Sequence, residues 1–527
     1  MLLAPALPGA GEAAGRLAEV VEEPSSERRG ELSGRPPPAV RVLRFVVDGP
    51  DPLGEQATRA LLEPLAEDVR SLDDLRAVAD RLQQALAGAG HAFHRVLLPP
   101  QTIRDGVVRL QVVPFEVGDI KVSGNTHFSD ANVRRSLPAL KLRSSPQLLE
   151  LRRDIAVANR HPAKQVDVTF SDDQTRPRSL QATVTVRDRK PWTVFTALDN
   201  AGNSQTGRLR WTLGGQHTNL FDLDHTLYAS FTTAPGHGDR VRQWAASYRV
   251  PLYGYDGSLT AYWLRSDVDS GRVLEVLDVS GRGQFLGLRL SHTLSSGSWS
   301  SRLRLGVEDR HFDQSVLAGT VNLARDVRSR PITVGYEGEL LRPGWRGAAS
   351  IEYVRNLPWG QDNDGTAYAA NRVGAQSTWD LVRVHADASA GLGDDWTLRG
   401  HASVQIANEP LIPGEQFGLG GQFSVRGLQE RALSGDSGVQ ISAELWSPAI
   451  PGTFGARLLG FADTGQVSLK NGALANGRRS ERLTSIGMGT RWQWRDLLSV
   501  SFDLARVIDG RPQERGVRGH LNLLLRH

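Results

Sequence analysis

The chain has 527 residues, of which 39% are apolar and 23% are charged, and its formal net charge is +4. A positive surplus this small is a weak argument for a nucleic-acid partner, and the complete lack of cysteine excludes disulfide frameworks and Cys-type zinc sites. No apolar run is long enough to suggest a transmembrane helix, and a long chain without cysteine suits export through an oxidising compartment.

Residues 1–38 are predicted to be an N-terminal segment that precedes the first domain. The opening MLLAPALPGAGEA is apolar and ends in small residues, like the tail of a secretory signal, but it has no basic n-region. Residues 13–23 have a weak helical pattern, and GELSGRPPP at 30–38 is a stiff linker. A signal remnant, a plug helix and a disordered terminus remain the three alternatives for this segment.

Residues 39–190 contain one order of predicted elements twice. The first copy, residues 39–115, has a strand at 42–47, helices at 55–65 and 72–88, the second capped by Ser71, and strands at 96–98 and 107–113. The second copy, residues 116–190, has a strand at 120–122, helices at 130–137, capped by Ser129, and 148–158, and strands at 166–170 and 180–186. Two copies of roughly 75 residues predict two small α+β domains in tandem. Each should have an exposed edge strand that can take up a strand of another chain; capped edges, which would make the domains spacers, are the alternative.

Residues 191–527 are predicted to form an all-β domain. All 12 Trp and all 8 Tyr lie after residue 190. Apolar and polar residues alternate at 302–308, 382–388, 439–445 and 498–504, and about sixteen such segments are present, many near the ~9–11 residues that cross a bilayer as a tilted strand. Trp and Tyr lie near many segment ends, as at a membrane interface. The pattern favours a transmembrane barrel of about 16 antiparallel strands over a soluble sandwich or propeller.

A glycine-rich loop, GLGGQFSVRGLQE at 418–430, carries the basic residue Arg426. A phosphate loop would precede a helix and contain G-x-x-x-x-G-K-[ST], whereas this loop precedes an alternating strand. We therefore expect a lumen-directed loop near 411–437, with an arginine that needs carboxylates on inward positions of the wall. Glu444, between apolar Ala443 and Leu445, and Asp463 are the predicted partners, because a guanidinium can bridge two carboxylates.

No catalytic or metal site is predicted. The motifs H-E-x-x-H and G-x-S-x-G do not occur. Asp222, Asp224 and His225 offer metal-ligand types at a junction between loop and strand, but solvation is the simpler interpretation. We therefore expect neither enzymatic activity nor a cofactor.

The loop and two later strands resemble motifs of the outer-membrane protein-transport and barrel-assembly superfamily. Val425, Arg426 and Gly427 are similar to its loop motif V-R-G-[YF], with Leu428 at the aromatic position. The strand motif F-x-D-x-G is matched by Phe461, Asp463 and Gly465, residues 443–448 resemble the strand before it, and Gly487 and Gly489 resemble a late glycine-rich strand.

The two repeats resemble POTRA (polypeptide-transport-associated) domains, with Gly124 and Asn125 at the usual turn. Two POTRA domains, a proline-rich linker before them and a barrel resemble the two-partner secretion transporters of the TpsB type (ShlB/FhaC-like). The chain ends in Leu525, Arg526 and His527, where that family commonly ends in an aromatic residue.

This resemblance implies a protein of the bacterial outer membrane with its POTRA domains in the periplasm. It implies secretion of one large, unfolded exoprotein, recognised through its N-terminal secretion domain, without nucleotide hydrolysis. It also implies insertion by the barrel-assembly machinery and a monomeric state. An assembly insertase and a passive porin are the alternatives, and a haemolysin, an adhesin and a contact-dependent toxin all remain open as cargo.

Overall fold

The computed structural model describes residues 39–203, 206–238, 241–267, 282–296, 299–313, 317–318, 321–322, 326–474, 477–511 and 515–527. The segment 1–38, with its three alternatives, lies outside the described residues. The chain forms two compact units that divide between Lys190 and Pro191. Within the described ranges, no helix is both long and apolar enough to cross a membrane.

The first repeat is a three-stranded sheet covered by two helices. Its elements are β1 (Val40–Val42), β2 (Arg44–Asp48), α1 (Glu55–Leu62) followed by a 3-10 turn (Glu63–Leu65), β3 (Asp68–Arg70), α2 (Leu72–Gly88), β4 (His94–Leu97) and β5 (Val107–Pro114). The sheet order is β2-β5-β4, with β2 parallel and β4 antiparallel to β5. Leu82 and Leu86 of α2 pack on Leu110 and Val112 of β5, and a capping box between Ser71 and Asp74 starts α2.

The strand predicted at 42–47 is two strands in the structure. The strand is interrupted at Leu43, whose backbone N–H donates to the Gly106 carbonyl oxygen at 2.7 Å. The short strand β3, which was not predicted, pairs with β1 in a separate two-stranded sheet. Three residues are too few for a period-two pattern to appear in the sequence.

The second repeat has the same architecture. Its elements are β6 (Glu116–Ser123), α3 (Asp130–Arg135), α4 (Leu148–Ala158), β7 (Lys164–Asp172) and β8 (Ser179–Asp188), in the sheet order β6-β8-β7. Gly124 turns the chain after β6 with a φ of +84°, and a Cβ there would lie 2.4 Å from the Val186 carbonyl oxygen, so only glycine fits. Asp188 then accepts hydrogen bonds from the backbone N–H groups of Thr126 and His127. Burial disfavours its charge, but these donors outweigh burial and hold the pKa of Asp188 below its usual value.

Side-chain amides cover part of the sheet edges in both repeats. In the first repeat, Gln83 of α2 accepts a hydrogen bond from the Val96 N–H. In the second repeat, the Asn159 amide pairs with both backbone groups of Val166, at 2.6 and 2.9 Å. Asn159 therefore takes the place of a neighbouring strand at the first half of β7, and the edge is capped there only in part.

The second unit is a closed antiparallel barrel. Its strands and those of its loops are β9 (Trp192–Asp199), β10 (Arg210–Leu220), β11 (His225–Thr233), β12 (Arg242–Leu252), β13 (Gly257–Ser266), β14 (Gly283–Ser296), β15 (Trp299–Phe312), β16 (Leu317–Ala318), β17 (Val321–Asn322), β18 (Val327–Ser329), β19 (Pro331–Arg342), β20 (Trp345–Asn356), β21 (Asp380–Gly391), β22 (Thr397–Ala407), β23 (Phe417–Leu419), β24 (Leu433–Gly435), β25 (Ser437–Trp446), β26 (Arg457–Ser468), β27 (Ser480–Trp494), β28 (Leu498–Asp509) and β29 (Val517–Arg526).

The barrel has 16 strands, as the sequence predicts. Strands β18 and β19 are two segments of one strand interrupted at Arg330, because both pair with β15. The strands β16–β17 and β23–β24 form small sheets of their own in loops. The last strand, β29, pairs with the first, β9, from Asn522 opposite Asp199 to Arg526 opposite Phe195, and this pairing closes the barrel.

The two faces of the barrel wall differ as a bilayer requires. On β15, Leu303, Leu305 and Val307 are about half exposed on the outside, whereas Arg304, which alternates with them, lies inside and pairs with Glu337 at 3.1 Å. We call the strand ends next to Trp192 the entry rim, since the chain enters the barrel there, and the other ends the opposite rim. Five exposed tryptophans lie at the entry rim, namely Trp192, Trp299, Trp345, Trp396 and Trp494, and Trp211 and Trp244 are exposed near the opposite rim.

Candidate functional site: a loop inside the barrel

The loop between β22 and β25, residues 408–436, folds back into the barrel; we call it the lumen loop. It leaves the opposite rim, makes a 3-10 turn at Pro413–Glu415, and pairs β23 with β24. The tip between these two strands carries Arg426, which is 3% exposed. The predicted loop near 411–437 therefore corresponds to a hairpin whose tip lies against the wall.

The guanidinium of Arg426 forms a two-pronged contact with Asp463 on β26. Nε donates to Oδ2 and Nη2 donates to Oδ1, both at 2.8 Å. The backbone N–H of Arg426 also donates to Asp463, at 3.1 Å. The Asp463 side chain is fully buried, and Ser442 of β25 donates to it at 2.6 Å. A planar fork fits a carboxylate in this way, whereas an ammonium group does not.

Two further groups contact the Arg426 guanidinium. Glu444 accepts from Arg426 Nη1 at 2.7 Å, and its other oxygen accepts from the Trp446 indole at 2.8 Å. The ring of Phe461 lies under the guanidinium, with 3.4 Å between Cζ and the ring centroid, so a cation–π contact adds to the ion pairs. The structure thus brings Arg426 together with both carboxylates named from the sequence.

A third carboxylate, Asp503, was missed by the sequence analysis. It lies on β28, 3.6 Å from Arg426 Nη1, and it forms a two-pronged pair with Arg491 at 2.6 and 2.9 Å. The signal was present, since Asp503 stands between Phe502 and Leu504 in an alternating strand just as Glu444 stands between Ala443 and Leu445. Only the tertiary structure brings β28 next to the loop tip.

The glycines of the predicted motifs lie where the loop and the wall approach closely. Gly427 has a φ of +93° and its N–H donates to His520 at 2.9 Å. A Cβ at Gly465 would lie 2.7 Å from the Leu419 side chain. A Cβ at Gly487 would lie 2.4 Å from Phe461, and one at Gly489 would lie 2.0 Å from the Asp503 carboxylate. The β27 glycines therefore leave room for two groups that touch Arg426.

Apolar contacts hold the same tip. Val425 and Leu428 are buried in one cluster with Val467, Leu483 and Val507 of the wall strands β26, β27 and β28. Leucine therefore replaces the expected aromatic residue at 428 as a packing group.

A second ion cluster ties the base of the loop to another part of the wall. Arg310 on β15 lies between Glu308, at 2.6 Å, and Glu415 of the lumen loop, at 2.5 Å, and the Glu415 side chain is fully buried. Nothing in the local sequence marks Glu415 as a partner of a residue more than 100 positions earlier.

The metal-ligand candidates near residue 222 have other partners. Asp224 accepts from the Tyr253 hydroxyl at 2.5 Å and His225 bonds with Tyr248 at 2.6 Å. In the part of the chain that the structure describes, ligand atoms converge instead at His311, Asp313 and Asp326. There Arg328 donates to His311 Nδ1 at 3.4 Å, which leaves the proton of a neutral ring on Nε2 and opposes metal binding through that atom.

Comparisons with known proteins agree with this geometry. Residues 181–492 match the family model of the haemolysin secretion/activation protein ShlB/FhaC/HecB, and residues 40–114 match that of the ShlB-type POTRA domain. Heme/hemopexin transporter protein HuxB of Haemophilus influenzae (strain 86-028NP) is 23% identical over 71% of this chain and 66% of its own length, just under two thirds. Outer membrane transporter CdiB of Escherichia coli O6:K15:H31 (strain 536 / UPEC) is 25% identical over 82% of this chain and 73% of its own.

Solved structures share the fold. CdiB from Escherichia coli superposes with a TM-score of 0.72 at 19% identity, covering 97% of this chain and 93% of that one. CdiB from Acinetobacter baumannii gives 0.65 at 17% identity, covering 96% and 95%. BamA from Haemophilus ducreyi without POTRA domains 1–3 gives 0.54 at 15% identity, covering 92% and 99%. Because the family model covers more than half of its length, the chain belongs to the haemolysin secretion/activation protein ShlB/FhaC/HecB family of outer-membrane transporters, whose POTRA domains lie in the periplasm.

Proposed function

We propose that this protein exports a large, unfolded partner protein through its barrel, from the periplasm to the cell surface, without nucleotide hydrolysis. Family membership supports export, and the lumen loop anchored through Arg426 is the observation that carries the mechanism. The driving force is binding of the unfolded cargo followed by its folding outside. Insertion by the barrel-assembly machinery and action as a monomer belong to the same proposal.

In this proposal, the Arg426 pocket fixes the position of the loop tip in the transport path. Arg426 brings its charge to Asp463, Glu444 and Asp503, three carboxylates on three wall strands. Loss of the arginine leaves buried carboxylates without compensation, which typically costs about 3–5 kcal/mol in a fully buried pair. Water in the lumen reduces this cost, but the tip should still leave the wall.

Substitution of Arg426 tests this role. Arg426→Ala should lower secretion by about tenfold or more, since about 1.4 kcal/mol of lost anchoring already shifts a population tenfold. Arg426→Lys should also secrete poorly, because a point charge cannot bridge Asp463 and Glu444. Secretion of the partner protein is measured together with heat-modifiable gel mobility, which reports the folded barrel. Arg457→Ala is the matched control, since Arg457 pairs with Asp395 at the entry rim at 2.8 Å and is partly exposed. Wild-type secretion by Arg426→Ala would overturn the role of the loop.

A charge swap tests the pair itself. Arg426→Asp and Asp463→Arg should each fail to secrete, and the double swap should recover only part of the activity. Recovery is partial because Asp463 also accepts the Arg426 backbone N–H and the Ser442 hydroxyl. Wild-type secretion by both single variants would show that the contact is not needed.

Recognition of the cargo is assigned to the two POTRA repeats. Asn159 covers β7 at Val166. Further along the strand, the backbone N–H and C=O groups that point away from β8 recur every second residue, at Val168, Phe170 and Asp172. A strand from the N-terminal secretion domain of the cargo can add there through main-chain hydrogen bonds. The full-length transporter should therefore bind that domain in calorimetry, and no heat of binding with a genuine partner would contradict the assignment.

A further inference from the structure

A helical insert covers part of the barrel at the opposite rim. It consists of residues 357–379 between β20 and β21 and contains the helix α5 (Gly365–Asn371). Tyr368 and Trp379 of the insert are fully buried, and the Trp379 indole donates to the Tyr368 hydroxyl at 3.1 Å. Asn356, at the end of β20, donates to the Ser377 carbonyl at 2.7 Å. The insert is therefore fixed to the wall by a core of its own.

One carboxylate joins this insert to both ends of the lumen loop. Asp436, the last residue of the loop, is fully buried. It accepts from both terminal nitrogens of Arg372 in the insert and from the N–H of Leu411 near the start of the loop, the latter at 2.9 Å. It also accepts from the Lys470 N–H at 2.7 Å, in the loop between β26 and β27. Four separate segments thus meet at Asp436.

Arg372 contacts the lumen loop and the loop between β26 and β27 at the same time. Besides Asp436, it donates to the carbonyl oxygens of Leu411, at 2.5 Å, and Asn471, at 3.0 Å. A single guanidinium thereby holds the loop start, the loop end and the neighbouring loop, as its fork of donors allows.

The loop spans between two arcs of the wall. Near its start, Leu411 and Ile412 are buried with Tyr368 and Trp379 of the insert and with apolar residues of β12–β15, β18 and β20–β22. At its tip, Val425 is buried against β26–β28. The lumen loop is therefore in apolar contact with the wall at both its start and its tip.

We propose that Arg372 and Asp436 form a latch that holds both ends of the lumen loop against the helical insert, so that the mouth of the barrel at the opposite rim closes independently of Arg426. The two anchors act at different places, since Arg426 holds the tip on β25–β28 and the latch holds the base. Opening of the latch lets the base of the loop and the insert separate while the tip stays on the wall. The inference rests on the architecture of the barrel and needs no cargo.

Channel recording in planar bilayers tests the latch. Arg372→Ala and Asp436→Asn should raise the mean conductance of the full-length protein several-fold and lengthen open events. Before linking, the double variant Arg372→Cys/Asp436→Cys should show the same raised conductance. Because the chain has no cysteine of its own, a short bis-maleimide will link only these two thiols. The link should return the conductance toward the wild-type level. This rescue separates a positioning role from general damage.

A second ion pair provides the matched control. Glu339 and Arg346 pair on β19 and β20 at the entry rim, away from the loop. Glu339→Cys/Arg346→Cys, treated with the same linker, should conduct like the wild type throughout. Heat-modifiable mobility verifies that each variant is a folded barrel.

The latch is overturned if folded Arg372→Ala and Asp436→Asn barrels conduct like the wild type, or if the bis-maleimide link leaves a raised conductance unchanged. Conductance is measured without cargo, so this failure leaves the export proposal standing. Conversely, a different result would be that the Arg372 and Asp436 variants change the conductance as expected while the wild-type protein secretes no partner protein. That result would contradict export and support the latch.

Discussion

At the scale of single residues, the Arg426 pocket depends on glycines in the neighbouring wall strand, which leave space for the side chains that contact the guanidinium. Gly487 of β27 leaves the space in which the Phe461 ring lies under the guanidinium. A close-packed interior has no reserve for an added methyl group, and overpacking typically costs about 1–3 kcal/mol.

Gly487→Ala should therefore displace Phe461 and reduce secretion without loss of the barrel. The added Cβ would lie 2.3 Å from the Leu504 carbonyl oxygen and 2.4 Å from Phe461, so a small side-chain shift cannot accommodate it. Gly460→Ala is the control, because a Cβ at this exposed position on neighbouring β26 meets nothing within 4 Å. Secretion and heat-modifiable mobility are measured for both; equal secretion by the two variants would contradict the packing role of Gly487.

At the scale of elements, the edge strand β7 combines a capped half and a half that can accept a partner. Asn159 occupies the backbone groups of Val166. Further along β7, the ladder to β8 continues to Asp172 opposite Leu180, and the outward groups of Val168, Phe170 and Asp172 follow the same alternation.

Asp172→Pro should weaken binding of the secretion domain to the full-length transporter about tenfold. Proline removes the outward N–H that an added strand would use, and it is tolerated at an edge position. Asp172→Ala keeps this N–H, removes the same carboxylate, and should bind like the wild type. Titration calorimetry compares the two variants, and equal weakening would assign the effect to the side chain and contradict strand addition.

At the scale of the whole molecule, the closing seam distinguishes export through the lumen from an insertase that opens sideways. His527 and Val194 exchange both backbone hydrogen bonds, and hydrogen-bonded pairs alternate with closer, non-bonded pairs. Ala197 opposite Leu524 is such a closer pair, with a Cα separation near the ~4.5 Å that a disulfide can bridge.

The double variant Ala197→Cys/Leu524→Cys should secrete normally after oxidation. Cargo that passes through the lumen does not require β9 and β29 to separate, whereas lateral insertion does. Non-reducing gels show that the bond has formed, since the chain has no other thiols, and the reduced protein is the control. Secretion that is lost on oxidation and restored on reduction would favour the insertase.

The sequence by itself determined the fold class of each region and the carboxylate partners of Arg426. Period-two alternation and the placement of all Trp and Tyr after residue 190 predicted a barrel, because a wall between lipid and water imposes its pattern locally along each strand. The position of Asp463 and Glu444 on such strands, together with the motif resemblance, pointed to partners for Arg426. The helix caps at Ser71 and Ser129 were readable because capping acts over three residues.

Only the tertiary structure decided how distant segments meet. The insert at 357–379 contains α5 and buries Tyr368 and Trp379, and its seven-residue helix is stabilised by packing rather than by a periodic pattern of its own. Asp503, Glu415 and Asp436 each acquire partners from other strands or loops. Ion pairs of this kind follow from the closure of the barrel and the path of the loop through its lumen, and no local pattern in the sequence encodes either.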